Sequence, residues 1–323
     1  MLSILSVIRL IRFKNLVIIA LTLYLMRYAI VQPILVIYGL SLEFPFVYFN
    51  LIALSILLIA AAGYMINDYF DVKIDTINRP DKVIVDKFFS ANAVFYAYII
   101  LNLMALIITG YISYRTNHLK LFAIYPVTIG ALWFYSTIYK KQLLIGNIIV
   151  GLVTAIVPIL PALYEIPFVN AKYRDYLMQT NLDIKIILAW TGSFAFFAFF
   201  INILREIIKD AEDFEGDNSV FRNTLPIVLG MRITKLIIYI IISIVILALG
   251  ILYDLFLRVN DDGTIDFITL LYFLVLIIIP LLITAVIIFK AKTPKMYSKA
   301  ALIVKCIIIT GIAYSIVVRI KLL

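Results

Sequence analysis

Cysteine and histidine are almost absent from this 323-residue chain, which carries one of each, Cys306 and His118. A single cysteine inside an apolar run leaves no disulfide framework and no thiolate metal site. One histidine excludes a multi-histidine metal centre, and the two together exclude Ser-His-Asp or Cys-His covalent catalysis. Charge is also scarce, at 15% of residues, and no Pro- or Ser-rich linker divides the chain, so it reads as one domain over residues 1–323. What remains is apolar: 64% of residues are hydrophobic and the mean hydropathy is +1.09. A soluble domain is nearer half apolar and a quarter charged, so the solvent expected for this chain is a lipid bilayer. The formal net charge of +9 does not indicate nucleic acid, because the Lys and Arg residues fall in short clusters between long apolar runs.

Crossing a bilayer takes roughly 20 apolar residues per helix. Nine such runs occur, at about 15–38, 47–66, 92–113, 119–138, 144–164, 185–208, 233–257, 267–289 and 299–318. A lipid-exposed backbone must satisfy its own hydrogen bonds, so the expected fold is all-α and polytopic. Arg9, Arg12 and Lys14 precede the first run without a small-residue cleavage site, which reads as a retained first helix. Lys and Arg concentrate on the side that takes the N-terminal tail and the even-numbered loops. The positive-inside rule puts that side in the cytoplasm and the protein in the cell (inner) membrane. Residues 165–184 and Asn260-Asp261-Asp262-Gly263 are expected to be loops on the opposite side. Arg27 and Lys305 fall within spans, and for Arg27 snorkelling and pairing with a buried acid are both open.

The chemistry lies in two acidic runs. Asn67-Asp68-Tyr69-Phe70-Asp71-Val72-Lys73-Ile74-Asp75 closes the second span, and Asp210-Ala211-Glu212-Asp213-Phe214-Glu215-Gly216-Asp217 closes the sixth. Asp68, Asp71 and Asp75, like Asp210, Asp213 and Asp217, are spaced by three and then four, which on a helix is one stripe. Three carboxylates on one stripe repel unless a cation neutralises them. Oxygen donors without Cys or His suit Mg²⁺, which also accepts substrate phosphates as ligands. A solvated acidic loop is the alternative for one such run. The same spacing twice, on the same side, at two span ends, argues against it. A transporter would instead place acids within the spans.

Basic residues share those loops: Arg79 and Lys82 after the first run, Lys140 and Lys141 after Tyr139 at the end of span four, and Arg205 and Lys209 before the second run. Each could contact diphosphate oxygens, and each also satisfies the positive-inside pattern.

At these residues the chain resembles the UbiA superfamily of intramembrane prenyltransferases, through Asn67-x-x-x-Asp71-x-x-x-Asp75, Asp213-x-x-x-Asp217 and the Tyr139-Lys140 element. The resemblance implies a ring of nine helices around a central cavity that opens to lipid. It implies Mg²⁺ held with a prenyl diphosphate by Asn67, Asp71, Asp75, Asp213 and Asp217, joined by Asp68 and Asp210. Arg79, Lys140 and Arg205 carry over as diphosphate contacts. The stretches 135–147 and 205–226 are most similar to the archaeal-type lipid synthases that add a second geranylgeranyl chain to geranylgeranylglyceryl phosphate. The implied partners are therefore geranylgeranyl diphosphate, a prenylated glycerol phosphate and membrane lipid. An aromatic quinone precursor or a haem is the alternative acceptor.

Overall fold

The structure is a computed structural model that describes residues 4–78, 83–180, 182–219, 221–259 and 263–323, with only the backbone of 73–75, 77 and 78. Arg79 and Lys82 lie outside the described residues, as does the side chain of Asp75. The protein is 85% helical, and among the described residues there are nine helices of membrane-spanning length and apolarity, with no strand. They are α1 (Phe13–Ile37), α2 (Phe46–Asn78), α3 (Ala91–Arg115), α4 (Leu119–Thr137), α5 (Ile145–Lys172), α6 (Ile186–Glu212), α7 (Leu225–Leu257), α8 (Phe267–Lys290) and α9 (Pro294–Leu322). This is a multi-pass membrane protein.

Two expectations change. The segment 165–184 is not a loop: α5 runs on to Lys172 and a short helix, Arg174–Thr180, follows. The apolar count stops there because Glu165, Lys172 and Arg174 are charged, yet Glu165 is 1% exposed and paired inside the protein. The second acidic run is not one continuous stripe. The α6 helix ends at Glu212, Asp213 caps it with non-helical backbone angles, and Asp217 sits on a separate short helix, Phe214–Ser219.

Helices in lipid associate through close packing more than through the hydrophobic effect. At Gly151 on α5 an added Cβ would lie 2.9 Å from Ile203 and 3.0 Å from Phe199 on α6, so glycine lets these two helices touch. Buried hydroxyls inside the spans bond back to the preceding turn, as Thr109 does to Ala105 and Thr191 to Ile187.

The helices surround a cavity of about 580 Å³. Among the described residues, every span except α3 contributes to its wall. Its middle is apolar, lined by residues such as Ile59, Leu132, Phe197 and Ile308, while Arg12, Asn67, Tyr135, Arg205, Glu206 and Lys305 crowd one end.

Candidate active site

The last three turns or so of α2 carry the first acidic run. Asp71 is 9% exposed, and its Oδ1 accepts from Lys140 at 2.8 Å and from Arg222 at 2.5 Å. The same Arg222 donates through Nη1 to Asp217 Oδ1 at 3.1 Å. One guanidinium therefore spans from the first acidic run to the second, which brings the two runs face to face. Lys140 also donates to Asn67 at 3.3 Å, and Asn67 lines the polar end of the cavity.

Local structure explains why these cations arrive there. Lys140 lies in a 3₁₀ turn, Tyr139–Lys141, held against the start of α5 by Gly146. A Cβ at Gly146 would meet the Tyr139 carbonyl at 2.8 Å and Lys140 Cα at 2.9 Å, so only glycine permits that approach. The turn leaves Leu144 in the left-handed region at φ 60°, a conformation that costs a branched side chain energy and persists where packing over-determines it. Phe221, beside Arg222, is likewise left-handed at φ 56°. A backbone bond from Asn223 N to Lys141 O, 3.0 Å, ties the two loops together.

Burial pushes the Asp217 carboxyl up to about 6; the pull of Arg222 opposes this, and the charges of Asp213 and Asp71 add to it. Burial also lowers the Lys140 ammonium, against the attraction of Asp71. Asp217 thus feels both Asp71 and Asp213, while Arg222 and Lys140 attract Asp71 from the other side.

The remaining expected residues divide. Asp210 accepts from Asn147 Nδ2 at 2.9 Å, and Asp68 is paired with Arg12 at 2.7 Å. Arg205 pairs with its neighbour Glu206 at 2.7 Å, and Lys209 lies 4.0 Å from the same carboxylate. Lys141 is exposed, and the Tyr139 ring packs 6.2 Å from that of Phe134. Arg222 is the residue that sequence reasoning missed. It counted only as loop charge, although its position five residues after Asp217 was a usable signal.

Among the described residues, no three acidic side chains close a metal cage by themselves. Mg²⁺ does not need one: it binds through one or two carboxylates plus substrate phosphates and water. The donors here are all oxygen, and they come from two acidic runs that meet at the gap Arg222 spans. The residues fit that ion.

The UbiA prenyltransferase family model matches residues 30–307. A digeranylgeranylglyceryl phosphate synthase of Pyrococcus horikoshii is 35% identical over 176 residues, 53% of each chain. The chain spans about half the length of the curated relatives it matches. Among solved structures, one of digeranylgeranylglyceryl phosphate synthase in membranes superposes with TM-score 0.61 at 20% identity, covering 96% of this chain and 98% of that one. A UbiA homolog from Archaeoglobus fulgidus bound to DMAPP and Mg²⁺ superposes with TM-score 0.54 at 17% identity, covering 97% and 99%. These two likenesses establish the fold.

Proposed function

The chain belongs to the UbiA prenyltransferase family, and on that premise we propose that it transfers a geranylgeranyl group from its diphosphate to the hydroxyl of a prenylated glycerol phosphate. A carbon–oxygen bond to diphosphate breaks, an ether bond forms, and the hydroxyl proton and diphosphate leave. The observation that carries the reading is the Arg222 bridge between Asp71 and Asp217, which sets both acidic runs beside the polar end of an apolar cavity. Relatives named for the glycerol phosphate reaction favour that acceptor over an aromatic ring or a haem.

Asp71, Asp75, Asp213 and Asp217 would hold Mg²⁺, with Asn67 beside them. When bound, the ion offsets the diphosphate charge and makes it a better leaving group. Lys140 and Arg222 would pass from carboxylate to diphosphate oxygens, and Arg79, Lys82 and Arg205 are proposed as further diphosphate contacts. The apolar wall takes the prenyl chain and keeps water from the allylic carbon as positive charge develops on it. Lys and Arg are denser on the side of these loops, which supports a cytoplasmic site and N-terminus for a protein of the cell membrane.

Purified protein incubated with geranylgeranyl diphosphate, Mg²⁺ and a panel of acceptors tests this by product mass. An ether of geranylgeranylglyceryl phosphate, dependent on Mg²⁺, is expected. A C-alkylated ring would move the reaction to the aromatic branch, and no transfer to any acceptor would overturn the reading.

A further inference from the structure

Lys305 lies eleven residues into α9, where a charge is costly unless it is paired or used. Among the described residues it makes no ion pair; its Nζ donates to Asn15 Oδ1 at 2.9 Å and faces the cavity. Its electrostatic neighbours are cations: Arg205, Lys14 and Arg12. Arg12 comes from the residue before α1, held left-handed at φ 49°, ψ 51°, and Arg205 comes from α6. Two acids partly offset this group, Asp68 on Arg12 and Glu206 on Arg205 and Lys209. On the cavity wall Lys305, Arg12 and Arg205, from three separate elements, face two carboxylates, Asp68 and Glu206. The Asp71–Asp217 bridge has its own cations, Lys140 and Arg222, so Lys305 is not needed there.

We propose that Lys305, with Arg12 and Asn15 and bordered by Arg205, binds the phosphate monoester of the acceptor, a second anion site beside the diphosphate site. The proposal rests on the reading of the acceptor as a phosphorylated glycerol lipid. The site selects the phosphorylated acceptor over its free alcohol and holds the headgroup at the cavity mouth while the hydroxyl reaches the prenyl carbon. An ammonium donating to a phosphate oxygen is a charge-assisted bond, and losing it weakens binding roughly tenfold or more.

The test compares wild-type protein with Lys305→Gln and Lys305→Arg. In Lys305→Gln the KM for geranylgeranylglyceryl phosphate is expected to rise roughly tenfold while that for geranylgeranyl diphosphate stays within about twofold, and preference over the dephosphorylated acceptor is lost. Lys305→Arg should restore much of that preference. A rise confined to the diphosphate KM, or no change in either, overturns the site. Should the wild-type protein not use the phosphorylated acceptor at all, the reaction assigned above fails by itself. The site is then decided by inorganic phosphate, which must raise the melting temperature of the wild-type protein and not that of Lys305→Gln.

Discussion

Two arginines sit at opposite ends of the protein, and both are paired with buried acids. Arg27, in a π-helical stretch of α1, is 3% exposed; it donates to the Phe44 carbonyl at 2.5 Å, lies 3.6 Å from Glu165 and stands 4.3 Å over the Phe49 ring. Glu165 is meanwhile saturated by the backbone N–H groups of Glu43 and Phe44. Every partner belongs to the frame, and no cavity residue takes part. Arg222 instead holds two acids that repel each other, beside a third, Asp213, and Asp217 keeps a raised carboxyl despite it. A buried ion pair fixes structure when its acid is saturated. It marks a site when it joins two acidic runs at the mouth of a cavity.

The contrast breaks most visibly in activity. Asp71→Asn or Asp217→Asn should lower prenyl transfer by roughly a thousandfold, with the protein still extracted folded from membranes. Substantial turnover in either, followed with labelled diphosphate, would make this arginine as structural as the other. At the opposite end the effect should be on stability: Glu165→Gln leaves Arg27 without its counter-charge and should cost about 3–5 kcal/mol, read by thermal unfolding in detergent. Activity per folded molecule should hold, and a selective loss of turnover would blur the distinction. Gly146→Ala should push Lys140 from its place, costing about 1–3 kcal/mol and raising the KM for the diphosphate; an unchanged KM would show that the turn does not position Lys140.

The smallest effect is that of pH on the metal. The Asp217 carboxyl is raised to about 6, so burial favours its neutral form in the folded protein. That contribution to stability is full below the ordinary carboxylate value and is lost as pH rises through about 6. Mg²⁺ binds the ionised form, so its stabilisation of the protein should be greater at pH 7.5 than at pH 5, by on the order of 1–2 kcal/mol. Equal melting shifts at both pH values would contradict the role given to Asp217.

Much of this was legible in the sequence, for identifiable reasons. Nine apolar runs are local, and the helices match them to within about five residues except at α2, α5 and α7, where the acidic run from Asn67, Glu165 and the residues around Gly230 and Arg232 interrupt the count. The facing of the two acidic runs followed from their shared spacing and shared side. Partnerships across the fold were not legible. Asp68 with Arg12 and Asp210 with Asn147 join residues dozens of positions apart, and no periodicity encodes them. The break at Asp213 and the left-handed Leu144 were hidden for a different reason: both residues lack the glycine that usually announces such a turn. Lys305 was visible as an intramembrane charge, but its cationic company required coordinates.

The bridge built by Arg222 has a consequence for how the protein rests between turnovers. Because a single planar group clasps both walls of the gap, a swing of that one side chain uncovers both walls at once, leaving Asp217 released and Asp71 held by Lys140 alone. The idle protein thus behaves as an internally closed salt, and loading becomes an exchange of one counter-ion for another.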